Sequence, residues 1–265
     1  MELDIYQVDS FTTEAFKGNP AGVCISDEEL REGQMLSIAR EMALSETAFY
    51  VRNTHKLRWF TPEVEVALCG HGTLALAHIL QEIGEASFGD TLCFETMSGP
   101  LSATIEENYI ALNFPVAELQ GAEVAREKLD LLGIDEDSVV SYLQFDSKEL
   151  IEIDSEQLLI SLTPSFERLK QLPGRGIVVT SKAGCNKLDF ISRYFAPWVG
   201  VNEDPVTGSA HCALAAYWGE KLKKHQLNGY QASQRGGNVG CTLLPNHRVE
   251  LRGKAKTIVK GKLYL

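Results

Sequence analysis

The chain is poor in the features that announce the commonest specialised chemistries. Its six cysteines, Cys24, Cys69, Cys93, Cys185, Cys212 and Cys241, include no CxxC pair and no cluster at zinc-finger spacing. Free thiols in a reducing, cytoplasmic setting are therefore expected, and no structural metal. No apolar run approaches the ~18 residues of a membrane-spanning helix. The opening Met-Glu-Leu-Asp lacks the basic and apolar regions of a secretory signal, so none is expected. Bases are also scarce, 25 against 36 acids for a net charge of −11, which argues against nucleic acid or an anionic membrane as the main partner. It leaves room for a small anionic substrate, because a local site can oppose the global charge. There is no phosphate-binding loop. The glycine-rich run Gly236-Gly237-Asn238-Val239-Gly240 lacks the strand-then-helix setting of a dinucleotide fingerprint, so no cofactor is implied. Low-complexity segments and long linkers are missing too.

What the chain does have is an internal echo. Arg58–Leu80 reads RWFTPEVEVALCGHGTLALAHIL, and Arg193–Trp218 reads RYFAPWVGVNEDPVTGSAHCALAAYW. At an offset of 135 residues (Arg58 to Arg193), Phe60/Phe195, Pro62/Pro197, Val64/Val199 and Val66/Val201 also match. Each copy then enters a turn of small residues and an apolar helix, which points to two related halves. With 265 residues, each half can hold a core. The expected division is 1–115 and 116–256, with residues 257–265 as a strand that completes the first half.

Strand-like runs surround both helices, over Leu3–Asp9, Val23–Ile25, Ser45–Val51, Leu57–Phe60, Thr91–Met97, Leu101–Glu106 and Tyr109–Phe114 in the first half. The second half repeats the mixture. Ser26, with Glu29 three residues on, reads as the N-cap of a helix reaching Ala43. The repeat helices span His71–Ile83 and Gly208–Lys224 and are apolar nearly all round, so they are buried. Gly121–Leu132 reads as a further helix. The expected fold is α+β, two pseudo-symmetric halves, each a curled, mostly antiparallel sheet around a central helix. The two turns would face one another across a cleft.

Those turns carry the candidate chemistry. Cys69-Gly70-His71-Gly72-Thr73 and Thr207-Gly208-Ser209-Ala210 place small residues where backbone N–H groups converge at a helix start, a setting that holds a carboxylate. Glycine also serves ordinary tight turns, and it is the duplication that favours function. Glu46 shares a strand face with Ala48 and Tyr50; burial there would raise its pKa toward a useful acid–base range. A solvated surface role is the alternative. His71 is a proton relay or a plain helix-start histidine, and Asp204 a second acid–base group or a turn residue. His211 reads as structural. Cys69 sits where a helix N-terminus lowers thiol pKa. At the offset of 135 its echo is Asp204, so no symmetric two-thiol arrangement exists. Ser209 has no partnered histidine, which sets a serine hydrolase aside.

At these residues the chain resembles the PhzF family, named for the phenazine-biosynthesis isomerase, within the diaminopimelate-epimerase-like fold. The resemblance runs through YQVDSFT and GNPAGV (Tyr6–Val23), SETAF (Ser45–Phe49), Arg58–Ala75, FAPWVGVNEDPVTGSAHCAL (Phe195–Leu214) and RGG (Arg235–Gly237). It implies a homodimer with its site between the two halves of each chain, and a cofactor-independent isomerase. Glu46 would be the acid–base residue, with His71 and Asp204 beside it. Gly70, Gly72, Thr73, Gly208 and Ser209 would cradle a small amino- or hydroxy-carboxylic acid. One departure is Gly72, where the family usually has alanine; the resulting CGHG turn is closer to the cysteine loop of the epimerases. A thiol-assisted racemase using Cys69, or a non-catalytic anion-binding protein, are the alternatives.

Overall fold

Small and aliphatic side chains cover every face of the segment after Cys69, and burial follows: Leu74, Ala75, Leu76, Ala77 and Ile79 have no exposed surface. In the computed structural model, which describes residues 2–265, this helix is the centre of the first of two compact units. Unit one comprises Met1–Phe114 and Glu250–Leu265, and unit two Pro115–Val249.

The first unit runs β1 (Glu2–Ser10), β2 (Asn19–Ser26), α1 (Glu32–Met42), β3 (Glu46–Val51), β4 (Lys56–Phe60), β5 (Glu65–Val66), α2 (Gly70–Glu82), β6 (Thr91–Thr96), β7 (Gly99–Ile105) and β8 (Ile110–Pro115). The second continues with β9 (Gln120–Gly121), α3 (Arg126–Leu132), β10 (Val139–Phe145), β11 (Lys148–Ile153), α4 (Glu156–Ser161), α5 (Phe166–Leu169), β12 (Ile177–Lys182), β13 (Phe190–Ala196), β14 (Val201–Glu203), α6 (Gly208–Leu222), β15 (Gln226–Gln231) and β16 (Gly237–Leu244). Then β17 (Arg248–Gly253) leads into β18 (Ala255–Tyr264), which returns to the first unit and pairs along the whole of β1, from Glu2↔Tyr264 to Ser10↔Ala255.

The strands belong to one large sheet, and its portions in the two units share one wiring. In the first, β1–β2 is antiparallel, β2–β3 parallel, β3–β4 and β4–β5 antiparallel, β4–β6 parallel and β6–β7 antiparallel. In the second, β10–β11, β11–β12, β12–β13, β13–β14, β13–β15 and β15–β16 repeat those senses in the same order. The sequence repeat is therefore a repeat of folds. Each portion curls round its own helix: α2 packs on β1, β2, β3, β7 and β18, and α6 on β15 and β16. Tyr217 and Trp218 of α6 also reach Ser141 in β10 (2.8 Å) and Thr180 in β12 (3.0 Å). On the outer face of the first portion α1 packs Met35, Ile38 and Ala39 over Cys24, Phe49 and Phe60.

Local departures from the sequence reading have tertiary causes. Ser26 is not a helix cap. The β2 ladder continues through Ser26↔Val51, and α1 starts at Glu32 with Arg31 and Gln34 forming its N-terminal box. The helix expected from Gly121 begins at Arg126, because Gln120 and Gly121 pair with β10. Helix α4 follows β11 directly, started by Ser155, whose side chain accepts the Leu158 N–H. No helix among the described residues is long and apolar enough to cross a membrane.

Candidate functional site

The first turn of α2 is built on Cys69. Its backbone is extended (φ −142°, ψ 106°), and its side chain caps the helix by accepting the Gly72 N–H at 3.3 Å. Its carbonyl accepts both the Thr73 N–H (3.1 Å) and the Thr73 hydroxyl (2.7 Å). The first four N–H groups of a helix have no partner inside it; Gly72 and Thr73 bond to Cys69, and no bond is made by the N–H groups of Gly70 and His71 among the described residues. Thr73 itself has no exposed surface, so it supports the turn rather than lining it. Gly72 stands in a tight place. A Cβ there would stand 3.0 Å from Cys69 Sγ and 3.0 Å from Trp59 Cδ1.

Alternation along β3 sends Phe49 to the α1 side and Glu46 to the α2 side. Glu46 Oε2 lies 3.2 Å from His71 Nε2, with the two side chains 22% and 9% exposed. Ser45 Oγ is 3.3 Å from the same nitrogen, and Cys69 Sγ is 3.5 Å from His71 Nδ1. Ser10 Oγ donates to the His71 carbonyl at 2.8 Å, fixing the ring's backbone.

The charges in this cluster overturn two expectations. Burial works to raise the Glu46 pKa, but the His71 hydrogen bond and charge, helped by Ser45, outweigh it and hold the carboxyl below its ordinary value. Burial likewise opposes charge on His71, yet the Cys69 sulfur and the Glu46 carboxylate beside it keep the imidazole protonated well above its usual range. Cys69 goes the other way. Its complete burial raises the thiol pKa despite His71 and the Gly72 N–H, so it is not the activated thiol its address suggested. Glu46 and His71 thus stand as a carboxylate–imidazolium pair. Among the described residues Glu46, Cys69 and His71 offer donor atoms all within 4.8 Å of one another. The sulfur lies beside Nδ1 while Glu46 faces Nε2, so the three do not converge on one metal ion.

In the second unit Asp204 follows β14. Its N–H donates to the Tyr194 carbonyl (3.0 Å), its carbonyl accepts from Gln231 Nε2 (2.6 Å), and its carboxylate accepts from the Thr207 hydroxyl. Thr207 is the N-cap of α6, and its N–H is held by Gln231 Oε1 at 2.9 Å. Gly208 lies 138 positions after Gly70 (Gly70 to Gly208), so beyond the first strand pair the repeat is three residues longer than the sequence offset. The residue equivalent to Cys69 is then Thr207 rather than Asp204, and the second thiol is still missing. Ser209 accepts a hydrogen bond from Lys148 Nζ (3.2 Å). Burial, and Arg175 nearby, lower the Lys148 pKa against the pull of Asp146. His211 is fully buried, its Nδ1 2.8 Å from the Thr207 carbonyl, the counterpart of Thr73 on Cys69.

Sequence reasoning missed Ser10, Ser45, Trp59, Lys148 and Gln231. Ser45 adjoins Glu46 and was within reach. The other four come from strands whose registry no local pattern discloses.

The chain matches the phenazine biosynthesis-like protein family over residues 8–261. It is 49% identical over 268 residues to an uncharacterized isomerase of Halalkalibacterium halodurans, covering all of both chains. It superposes on the crystal structure of a PhzF-family phenazine biosynthesis protein from Enterococcus faecalis with a TM-score of 0.93, at 40% identity and full coverage of both. A hydroxyproline epimerase from Agrobacterium vitis shares the fold alone, with a TM-score of 0.60 at 10% identity over 99% of this chain and 92% of that one.

Proposed function

The chain belongs to the phenazine biosynthesis-like protein family and is an isomerase by that membership, and we propose that it isomerises a small amino- or hydroxy-carboxylic acid by moving a carbon-bound proton, without a cofactor, through Glu46. The observation that carries this is the Glu46–His71 contact of 3.2 Å at the start of α2. A carboxylate kept ionised in a largely buried place is ready to accept a proton. The imidazolium beside it can give up its Nε2 proton to the substrate as Glu46 takes the carbon-bound proton, so that the pair ends as a carboxylic acid and a neutral imidazole with no net change of charge at the site. Charge developing on the substrate is met by the free N–H groups of Gly70 and His71 and by the positive end of α2; one such donor contributes roughly 3–4 kcal/mol to a transition state. Asp204 is proposed for proton handling, and Gly208 and Ser209 for holding a carboxylate. The partner is the small acid, and a homodimer is the assembly the resemblance favours.

The test is solvent exchange. A panel of small amino and hydroxy acids, including a dihydro-hydroxyanthranilate, is incubated with the protein in heavy water and followed by NMR for deuterium at carbon. The wild type should exchange one of them, and Glu46→Gln should slow that exchange by about 100-fold or more. Undiminished exchange in Glu46→Gln would sink the mechanism. Cys69 lies in the same cluster, so a thiol-assisted route is the competing reading. It predicts that Cys69→Ser abolishes exchange while Glu46→Gln spares it.

A further inference from the structure

We propose that Lys148 is a positioning residue for the substrate carboxylate, acting through the Ser209 hydroxyl. Lys148 opens β11, Ser209 is the second residue of α6, and Nζ stands 3.2 Å from Ser209 Oγ. An ammonium only donates hydrogen bonds, so the serine oxygen accepts in this contact. The hydroxyl proton is thereby turned away from Lys148, and it meets no other partner among the described residues. Ser209 is exposed. Its O–H is offered to a ligand at the start of α6, and a carboxylate oxygen is an acceptor that suits it. The lysine is already held in place. Its side chain is 13% exposed, with Nζ 3.7 Å from Asp146 Oδ2 and 5.3 Å from the centre of the Phe145 ring. A packed stem loses little further freedom when a ligand arrives.

The duplication supports the assignment. The equivalent residues Phe60 and Phe195 pair with Thr47 and Ile177, so Glu46 is matched by Gly176. Gly22 and Glu149 pair with the same two residues, so Lys148 is matched by Ala21, the strand partner of Glu46. No carboxylate can stand at Gly176, because a Cβ there would meet the Tyr194 hydroxyl oxygen at 2.0 Å. The adjacent strand supplies the polar group instead. His71 and Ser209 are each the second residue of their helix. Glu46 thus reaches His71 at 3.2 Å in one unit, and Lys148 reaches Ser209 at 3.2 Å in the other. One helix start receives a carboxylate from its sheet and the other an ammonium. The first is suited to take up a proton, the second to hold an anion. Asp146 and Arg175 also act on Lys148, with opposite signs, which leaves the ammonium as the uncompensated charge. The role given to Lys148 rests on the reading of Ser209 as a ligand of the substrate carboxylate.

Acetate, with acetamide as its neutral isostere, probes the contact without turnover. Titrated into the ¹⁵N-labelled whole chain and followed by NMR, acetate should shift the amide signals of Gly208 and Ser209, and acetamide should bind about 10-fold more weakly or worse. Lys148→Met should weaken acetate binding by about 10-fold and leave acetamide unchanged. Lys148→Arg, which still only donates, should keep the preference for the acid. Ser209→Ala should lose as much as Lys148→Met, and the double variant no more than either, because the lysine acts through the hydroxyl. Lys148→Gln, neutral and of similar reach, carries the test should Lys148→Met not fold. Unshifted Gly208 and Ser209 signals, an acetate preference that survives Lys148→Met or Lys148→Gln, or additive losses in the double variant would each overturn the assignment. Acetate binding as expected, with no acid exchanging its carbon-bound proton, would count against the isomerase reading instead and leave Lys148 in its role.

Discussion

At the scale of single residues, the ion pair decides more than burial does. Desolvation by itself would make Glu46 a raised-pKa acid, but the imidazolium 3.2 Å away reverses the sign. Both residues were legible from SETAF and CGHGT; their mutual effect was not, because it depends on where β3 ends against α2. Two predictions belong here. Gly72→Ala puts a methyl 3.0 Å from Cys69 Sγ and Trp59 Cδ1, overpacking that should cost about 1–3 kcal/mol in denaturant unfolding. Unchanged stability would mean that the turn has slack. His211 concerns pH. Burial lowers its pKa from 6.5 to about 4, so the folded state holds it neutral while the unfolded chain takes up a proton below pH 6.5. Stability should therefore be intact above pH 6.5 and fall as the pH drops toward 4, by about 3 kcal/mol in all. His211→Gln should flatten that part of the stability–pH curve, and an equal slope in the variant would contradict the assignment.

At the scale of elements, the repeat is carried by a matched device. Arg58 Nε bonds Glu65 (2.7 Å) across β4 and β5, and Arg193 Nε bonds Glu203 (2.7 Å) across β13 and β14. Each guanidinium also lies over the phenylalanine two residues on, at 5.1 Å for Phe60 and 4.9 Å for Phe195. The arginines and aromatics were visible in the echo. The glutamates were not aligned, since the 3₁₀ turn Pro197–Val199 lengthens the second copy. The remaining guanidinium donors differ: Arg193 Nη1 donates to the Leu162 carbonyl at 2.7 Å, closing the end of α4, whereas Arg58 reaches the more exposed carboxylates of Glu29 (3.6 Å) and Glu32 (3.4 Å). Lysine keeps the charge but loses the planar fork. Arg193→Lys should cost about 2–3 kcal/mol and Arg58→Lys about 1–2 kcal/mol, compared by thermal and denaturant unfolding. Equal losses would remove the extra role given to Arg193.

At the scale of the whole molecule, the chain's last strand belongs to its first unit. β18 covers one side of β1 along its length, and Thr257 meets His78 of α2 at 3.1 Å. Removing 255–265 would leave β1 with an open edge and strip one wall from α2. The truncated chain should unfold at lower temperature and self-associate, as read by calorimetry and light scattering. A truncation with unaltered unfolding would show that β1 and β2 suffice.

The sequence alone determined the fold class, the duplication and the buried central helices, and it singled out Glu46, His71 and Asp204 as the candidates for chemistry. These rest on local chemistry: side-chain period, glycine at turns, and motifs whose residues lie close in the chain. Tertiary structure alone decided the sense of the Glu46 and Cys69 shifts, the partners Ser10, Lys148 and Gln231, the equivalence of Cys69 with Thr207, and the grouping of Glu46, Cys69 and His71. Each of those depends on strand registry and on which faces meet. The sheet sets such relations between residues far apart in sequence, and one residue of slip in a strand would undo them.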